Sequence, residues 1–228
     1  MSAPRAVLLD ALGTLVELVP PWPALVRELG ARGVVVAERA ARAALLAEIA
    51  YYRAHHDEAG DVAALAGLRA RCADVLRAAL PPPARDLASA DVLAALMASL
   101  EFRPYPEVPG TLARLRDAGA RLVVVSNWDV SLHEVLARTG LAALVDGAIT
   151  SAELGAAKPA PAIFARALEL AGGVAPDRAL HAGDSVEADV AGARAAGIEA
   201  VLVVRDGTPA PAGVRMIRSL AELAAGGA

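Results

Sequence analysis

The stretch AVLLDALGTLV, residues 6–16, carries a single acid inside an otherwise apolar run. Residues 6–9 read as a strand buried on both faces, because four consecutive apolar side chains leave no side for water. Such a strand belongs to a parallel sheet, and the Gly13-Thr14 pair marks the tight turn that follows it. Asp10 therefore falls at the carboxyl end of the strand. In open parallel sheets that is where ligands bind, so an acid placed there asks for a chemical reason.

Working outward from this strand, the pattern changes twice. From about Trp22 to Leu100 every periodic segment is helical. Over residues 37–54, Leu45, Leu46, Ile49 and Tyr52 make one apolar face, and Glu38 and Arg42 make an i,i+4 pair on another. Leu65, Leu68, Cys72, Val75 and Leu76 repeat the helical spacing until Pro81-Pro82-Pro83 stops it. From Pro109 onward helices alternate with strands. Helix is predicted over 112–118 and strand over 121–125. A further helix starts at Ser131, whose spacing to Glu134 is that of a capping box, and Gly140 ends it. A helix after Lys158 running to about Ala171, strand over 179–182, helix from Val186 to near Gly197 and strand over 200–204 complete the series. Alternation of this kind predicts an α/β fold: a Rossmann-like, doubly wound parallel sheet with helices on both faces. Residues 1–16 and 102–228 form that core, and 17–101 form an inserted all-helical domain. No internal repeat interrupts this reading.

Composition narrows the function. A chain of 228 residues buries enough apolar surface to fold without disulfides, and Cys72 is its only cysteine. Asp10 interrupts the only early apolar run, so no signal peptide is read, and a reducing, cytoplasmic setting is expected. Hydrophobic residues make up 56%, yet no stretch of about 18 apolar residues lacks a charge, which excludes a membrane span. A formal charge of −4 and only two Trp, three Tyr and two Phe argue against a nucleic-acid surface. Small molecules are the expected partners. Of the 22 basic residues one alone is lysine, Lys158.

The residues after each strand are polar. They are Asp10, then Ser126-Asn127, then Gly183-Asp184-Ser185 with Asp189 five residues beyond Asp184, and Lys158-Pro159 precedes a helix. Carboxylates brought to one crevice repel unless a cation sits among them, and an all-oxygen set selects a hard ion such as Mg2+.

These segments resemble the four motifs of the haloacid dehalogenase superfamily. Residues 10–15 (DALGTL) are similar to its first motif, 125–127 (VSN) to its second, Lys158-Pro159 to its third and 183–189 (GDSVEAD) to its fourth. The helical insert resembles the family's C1 cap, which shapes substrate choice. The resemblance implies Asp10 as the nucleophile that forms a covalent aspartyl intermediate. Ser126 and the backbone amide of Asn127 become donors to the phosphoryl oxygens, and Lys158 the cation that neutralises nucleophile and phosphoryl charge. It also implies a Mg2+ site of Asp10, the backbone carbonyl of Leu12, Asp184 and Asp189, the last either holding a metal-bound water or orienting its neighbours.

Leu12 departs from the pattern. The family's phosphatases place a second aspartate here, a general acid for the leaving alkoxide, and leucine cannot transfer a proton. Three functions are therefore carried forward, in this order. The first is a Mg2+-dependent phosphatase acting on a small phosphorylated metabolite, with a preference for acyl or aryl leaving groups. The second is a 2-haloacid dehalogenase, which needs no metal and gains nothing from Asp184 and Asp189. The third is a non-catalytic binding module. Asp129 and Glu187 are the other acids able to supply a proton. His55-His56 reads as a solvated corner of the insert, Cys72 as core, and Trp128 either as packing or as a wall of the pocket.

Overall fold

The computed structural model describes residues 4–209 and 211–225. Its centre is a six-stranded sheet with every pairing parallel. The strands are β1 (Ala6–Leu9), β4 (Arg121–Ser126), β5 (Gly147–Thr150), β6 (Ala179–Gly183), β7 (Glu199–Val203) and β8 (Met216–Ile217), in the spatial order β5-β4-β1-β6-β7-β8. β2 (Val16–Leu18) and β3 (Phe102–Pro104) pair separately as a two-stranded sheet. All four residues of β1 are fully buried, as a central strand covered on both faces requires.

Side chains alternate across the sheet. Leu8, Val123 and Val125 point to the face covered by α8 (Pro161–Leu170), whose Ile163, Phe164 and Ala167 share one buried cluster with them. The opposite face takes α5 (Val108–Asp117), with Leu112 and Leu115 buried. Chain order reverses on either side of β1, so its carboxyl end opens onto the crevice of a doubly wound sheet. The register aligns Leu9 with Val124 on one side and with Ala182 on the other, which brings Asp10, Ser126 and Asp184 to the same edge.

The chain divides into two compact units. One comprises the chain up to Glu17 and from Arg103 onward, and the other is Leu18–Phe102. The second unit is helical: α1 (Pro21–Ala31), α2 (Glu38–His55), α3 (Val62–Ala79) and α4 (Ser89–Ser99), with α1 packed on α2 and α4, and α3 packed on the same two. Among the described residues no helix is long and apolar enough to cross a membrane.

Several local expectations need correction. The buried face of α2 is Ala41, Ala44, Leu45 and Glu48, whereas Leu46 is exposed; the face is rotated toward small residues that let α3 approach. Ser131 makes no capping hydrogen bond, because its own backbone is already helical. The capping box belongs to Thr150 and Glu153, at the start of α7 (Ser151–Leu154). The segment expected as one helix from Val186 is a π-helix, Val186–Ala191, followed by the short α9 (Gly192–Ala195). π-turns of this kind favour functional sites.

Candidate active site

Asp10 is held by the backbone before it is held by anything else: its N–H donates to the Ala182 carbonyl at 2.9 Å, continuing the β1–β6 ladder past its last paired residue. Its Oδ1 accepts from Lys158 Nζ at 2.6 Å and from Ser126 Oγ at 3.1 Å. Lys158 Nζ also donates to Asp189 Oδ1 at 2.6 Å. The single lysine of the chain thus sits between two acids, 5% exposed.

The loop that carries Lys158 is fixed by Asn127. Asn127 Nδ2 donates to the Lys158 carbonyl at 2.9 Å and Asn127 Oδ1 accepts the Lys158 N–H at 2.7 Å; the Lys158-Pro159 peptide is cis. The side chain of Asn127 therefore positions the lysine, a role the sequence did not announce.

Asp189 is committed to protein donors. Besides Lys158, its Oδ1 accepts from His181 Nε2 at 2.8 Å, and its Oδ2 accepts the Ser185 N–H at 2.9 Å. Gly183 makes room for it, since a Cβ there would overlap the Asp189 carboxylate. His181, fully buried in β6, was passed over in the sequence as part of an apolar run. Its Nδ1 has no hydrogen-bond partner among the described residues, and Nε2 is the nitrogen that donates to Asp189. A polar residue inside a strand buried on both faces was the available signal.

Asp184 is the open carboxylate of the set. It does not cap the following helix, a role taken by Ser185 Oγ accepting from Ala188 N. Among the described residues no other residue donates a hydrogen bond to its side chain. Ligand atoms of Asp10, Asp184 and Asp189 all lie within 4.8 Å of one another. Gly13 passes so close that a Cβ would overlap Asp184, and its φ of +83° is one that glycine adopts freely.

Charge follows from this geometry. Burial pushes the Asp10 carboxyl above its ordinary range, with Lys158 opposing. Burial also works against the Lys158 ammonium, but Asp10 and Asp189 outweigh it and hold the lysine above its usual value. Asp189 is likewise disfavoured by burial, yet Lys158 and His181 carry it well below the usual carboxylate range. Asp184 is pushed up to about 6 by partial desolvation, then by Asp10 and Asp189. One ammonium among three carboxylates leaves a surplus of negative charge, and a divalent cation bound by oxygen fits that surplus.

The remaining predicted residues fall as follows. Leu12 is 40% exposed, and its carbonyl accepts no hydrogen bond among the described residues. Trp128 is buried, its N–H donating to Ser151 Oγ at 3.1 Å. Asp129 is buried too, its Oδ1 accepting the Ser131 N–H, and Glu187 is exposed. His55 and His56 lie in the helical unit, where His55 stacks on Tyr51; Cys72 is buried there. Arg205 was missed altogether. Its Nε and Nη2 donate to the carbonyls of Gly13 and Thr14, and its Nη1 to Glu107. It follows β7 by two residues, where the rule of inspecting strand ends would have found it. Gly13, Tyr105, Asp184, Val186, Arg205 and Thr208 line a cleft of about 560 Å³.

Fold and site together define a Rossmann-like α/β protein with its polar centre at the carboxyl edge of the sheet. The model of the haloacid dehalogenase-like hydrolases matches residues 4–197, and the chain belongs to that family. Over 105 residues it is 37% identical to glyceraldehyde 3-phosphate phosphatase of Methanopyrus kandleri, a match covering 46% of this chain and 45% of that protein. The chain thus spans less than half the length of this curated relative. A crystal structure of a HAD phosphatase from Thermococcus onnurineus superposes with a TM-score of 0.64 at 30% identity, over 96% of this chain and 95% of that one. The 2-haloacid dehalogenase of Pseudomonas syringae pv. Tomato DC3000 does so with a TM-score of 0.65 at 28% identity, over the whole of both chains.

Proposed function

We propose that this hydrolase is a Mg2+-dependent phosphatase that removes the phosphoryl group of a small metabolite through a covalent intermediate on Asp10. The observation that carries this reading is the placement of Lys158 Nζ 2.6 Å from both Asp10 and Asp189, with Asp184 beside them and no hydrogen bond to its side chain from another described residue. Asp10, Asp184 and the Leu12 carbonyl would hold the cation. When bound, it supplies positive charge against the phosphoryl oxygens and the carboxylates.

The steps that belong to the chain's own residues follow. A carboxylate oxygen of Asp10 attacks phosphorus, the bond from phosphorus to the leaving oxygen breaks, and that oxygen departs with the electron pair. Ser126 Oγ and the Asn127 backbone N–H donate to phosphoryl oxygens, and Lys158 stabilises their charge. Water then attacks phosphorus, the bond to Asp10 breaks, and inorganic phosphate leaves with the carboxylate regenerated. Asp189 and His181 keep Lys158 in place throughout. Because Leu12 donates no proton, acyl and aryl phosphates are the preferred substrates. Substrate choice is assigned to the inserted helical unit, as its resemblance to a cap implies, and the buried lone Cys72 supports a reducing, cytoplasmic setting.

A dehalogenase reading draws support from the full-length likeness to the Pseudomonas enzyme. The pair Asp184 and Asp189 favours the phosphatase. Turnover of an aryl phosphate with and without Mg2+ tests the choice. Activity should require the cation and fall by about three orders of magnitude in Asp10→Asn. An unchanged rate in chelator-treated protein, or a fully active Asp10→Asn, would overturn the proposal. Halide release from a 2-haloacid without Mg2+ would put the second reading in its place.

A further inference from the structure

We infer that Arg205 is a positioning residue for the reaction at Asp10, acting through the turn that follows it. The inference rests on the reading of Asp10 as nucleophile and of the Leu12 carbonyl as a cation ligand.

The turn is closed from within by its own backbone. Leu15 and Val16 both donate to the Ala11 carbonyl, at 2.8 and 2.9 Å, and Gly13 donates to the Val16 carbonyl at 2.8 Å. These bonds fix the N–H groups and leave the carbonyls of Leu12, Gly13 and Thr14 without a backbone donor among the described residues. Arg205 takes two of the three: Nε reaches Gly13 O at 3.0 Å and Nη2 reaches Thr14 O at 2.6 Å. The third, on Leu12, is the one the cation site uses.

The fork itself is prevented from turning. Its third arm, Nη1, is bound to Glu107 at 2.8 Å, and the guanidinium lies 3.4 Å from the centroid of the Tyr105 ring. Tyr105 is in turn tied to the same turn, its N–H donating to the Leu15 carbonyl at 3.1 Å. A planar group with several fixed donors, stacked on an aromatic face, is the side chain able to hold two successive carbonyls at once. A lysine offers one flexible point charge in its place. Because Gly13 passes against Asp184 with no room for a Cβ, a shift of this turn moves the Leu12 carbonyl and the space around Asp184 together. Displacements of about 1 Å at reacting groups cost on the order of 100-fold in rate.

Arg205→Lys keeps the charge facing Glu107 and removes the fork, so it separates positioning from charge. With an aryl phosphate and saturating Mg2+, kcat should fall about 10- to 100-fold while KM stays within about threefold, since binding of the phosphoryl group is left intact. Amide exchange at Gly13, Leu15 and Val16 should quicken, with exchange in β4 unchanged. In Arg205→Ala, added millimolar guanidinium should restore part of kcat, which a merely structural loss does not allow. Wild-type kcat in Arg205→Lys overturns the inference, whatever the exchange shows. Exchange that quickens equally throughout the sheet overturns it as well, because the loss is then one of global stability. If the wild-type protein hydrolyses no phosphate with Mg2+, the proposed function fails, and exchange confined to the turn still decides whether Arg205 is its clamp.

Discussion

At the scale of single residues, Leu12 has the largest expected effect on which substrates are turned over. Its side chain is 40% exposed at the end of the sheet that carries Asp10, so an aspartate there would extend from the surface without displacing core. A positioned general acid contributes about 10²–10⁴-fold where the leaving oxygen must be protonated, and much less where it departs as a stable anion. Leu12→Asp should therefore raise turnover of alkyl phosphates relative to aryl phosphates by about that factor, read as a ratio under saturating Mg2+. The added carboxylate also increases repulsion beside Asp10, which Lys158 and the cation offset, so the ratio is more telling than either rate. An unchanged ratio in a folded, metal-binding variant would show that the proton comes from elsewhere. Asp129 is a poor source, being buried with an oxygen occupied by the Ser131 N–H. Residue chemistry of this kind was legible in the sequence where composition made it stand out. Lys158 is one lysine among 21 arginines, whereas Arg205, one of those 21, drew no attention although it binds the turn after Asp10.

At the scale of elements, the sequence disclosed what periodicity encodes and hid what tertiary partners decide. β1, β4, β6 and β7 were legible because short, mainly apolar runs mark strands covered on both faces, with His181 the one polar residue inside β6. β5 and β8 were not: residues 147–150 are GAIT and β8 is two residues long, and at or near the sheet edges neither needs a full apolar run. On α2 the missed feature is Glu48, buried where an apolar residue would be expected, its carboxyl sharing a hydrogen bond with the Cys72 thiol. Burial raises this carboxyl above its ordinary 4.5. Below that pH both folded and unfolded chains hold the proton. Above it the unfolded chain releases the proton first, so stability declines as pH rises toward the folded-state value. Glu48→Gln keeps a hydrogen-bonding group and removes the titration. Its melting temperature should match wild type near pH 4 and exceed it at pH 7.5, at about 2–4 °C for each kcal/mol recovered. A variant no more stable than wild type at pH 7.5, relative to pH 4, would mean that the fold does not raise this carboxyl.

At the scale of the whole molecule, every residue proposed to hold Mg2+ belongs to the unit built from the two chain ends, and each unit contains one of the two tryptophans: Trp128 in that core and Trp22 in the helical unit. A ligand that binds only the folded state stabilises it by mass action, by about 2.7 kcal/mol at 100 times its dissociation constant. Trp22→Phe leaves Trp128 as the only reporter, and Trp128→Phe leaves Trp22, so the two melting curves locate the stabilisation. The shift on adding Mg2+ should be larger at Trp128. Its pH dependence follows from Asp184, whose carboxyl is pushed up to about 6 from an ordinary 3.8. In metal-free protein a raised carboxyl costs stability as pH climbs from the unfolded value to the folded one, because the unfolded chain ionises first. Mg2+ favours the ionised form and removes that cost, but at pH 5 it must first displace the proton. The Mg2+-induced shift at Trp128 should therefore be large at pH 7.5, shrink through pH 6, and be small at pH 5, with Asp184→Asn abolishing it at every pH. A shift of equal size at pH 5 and 7.5 would remove Asp184 from the cation site. A shift seen at Trp22 with none at Trp128 would move the site out of the core altogether.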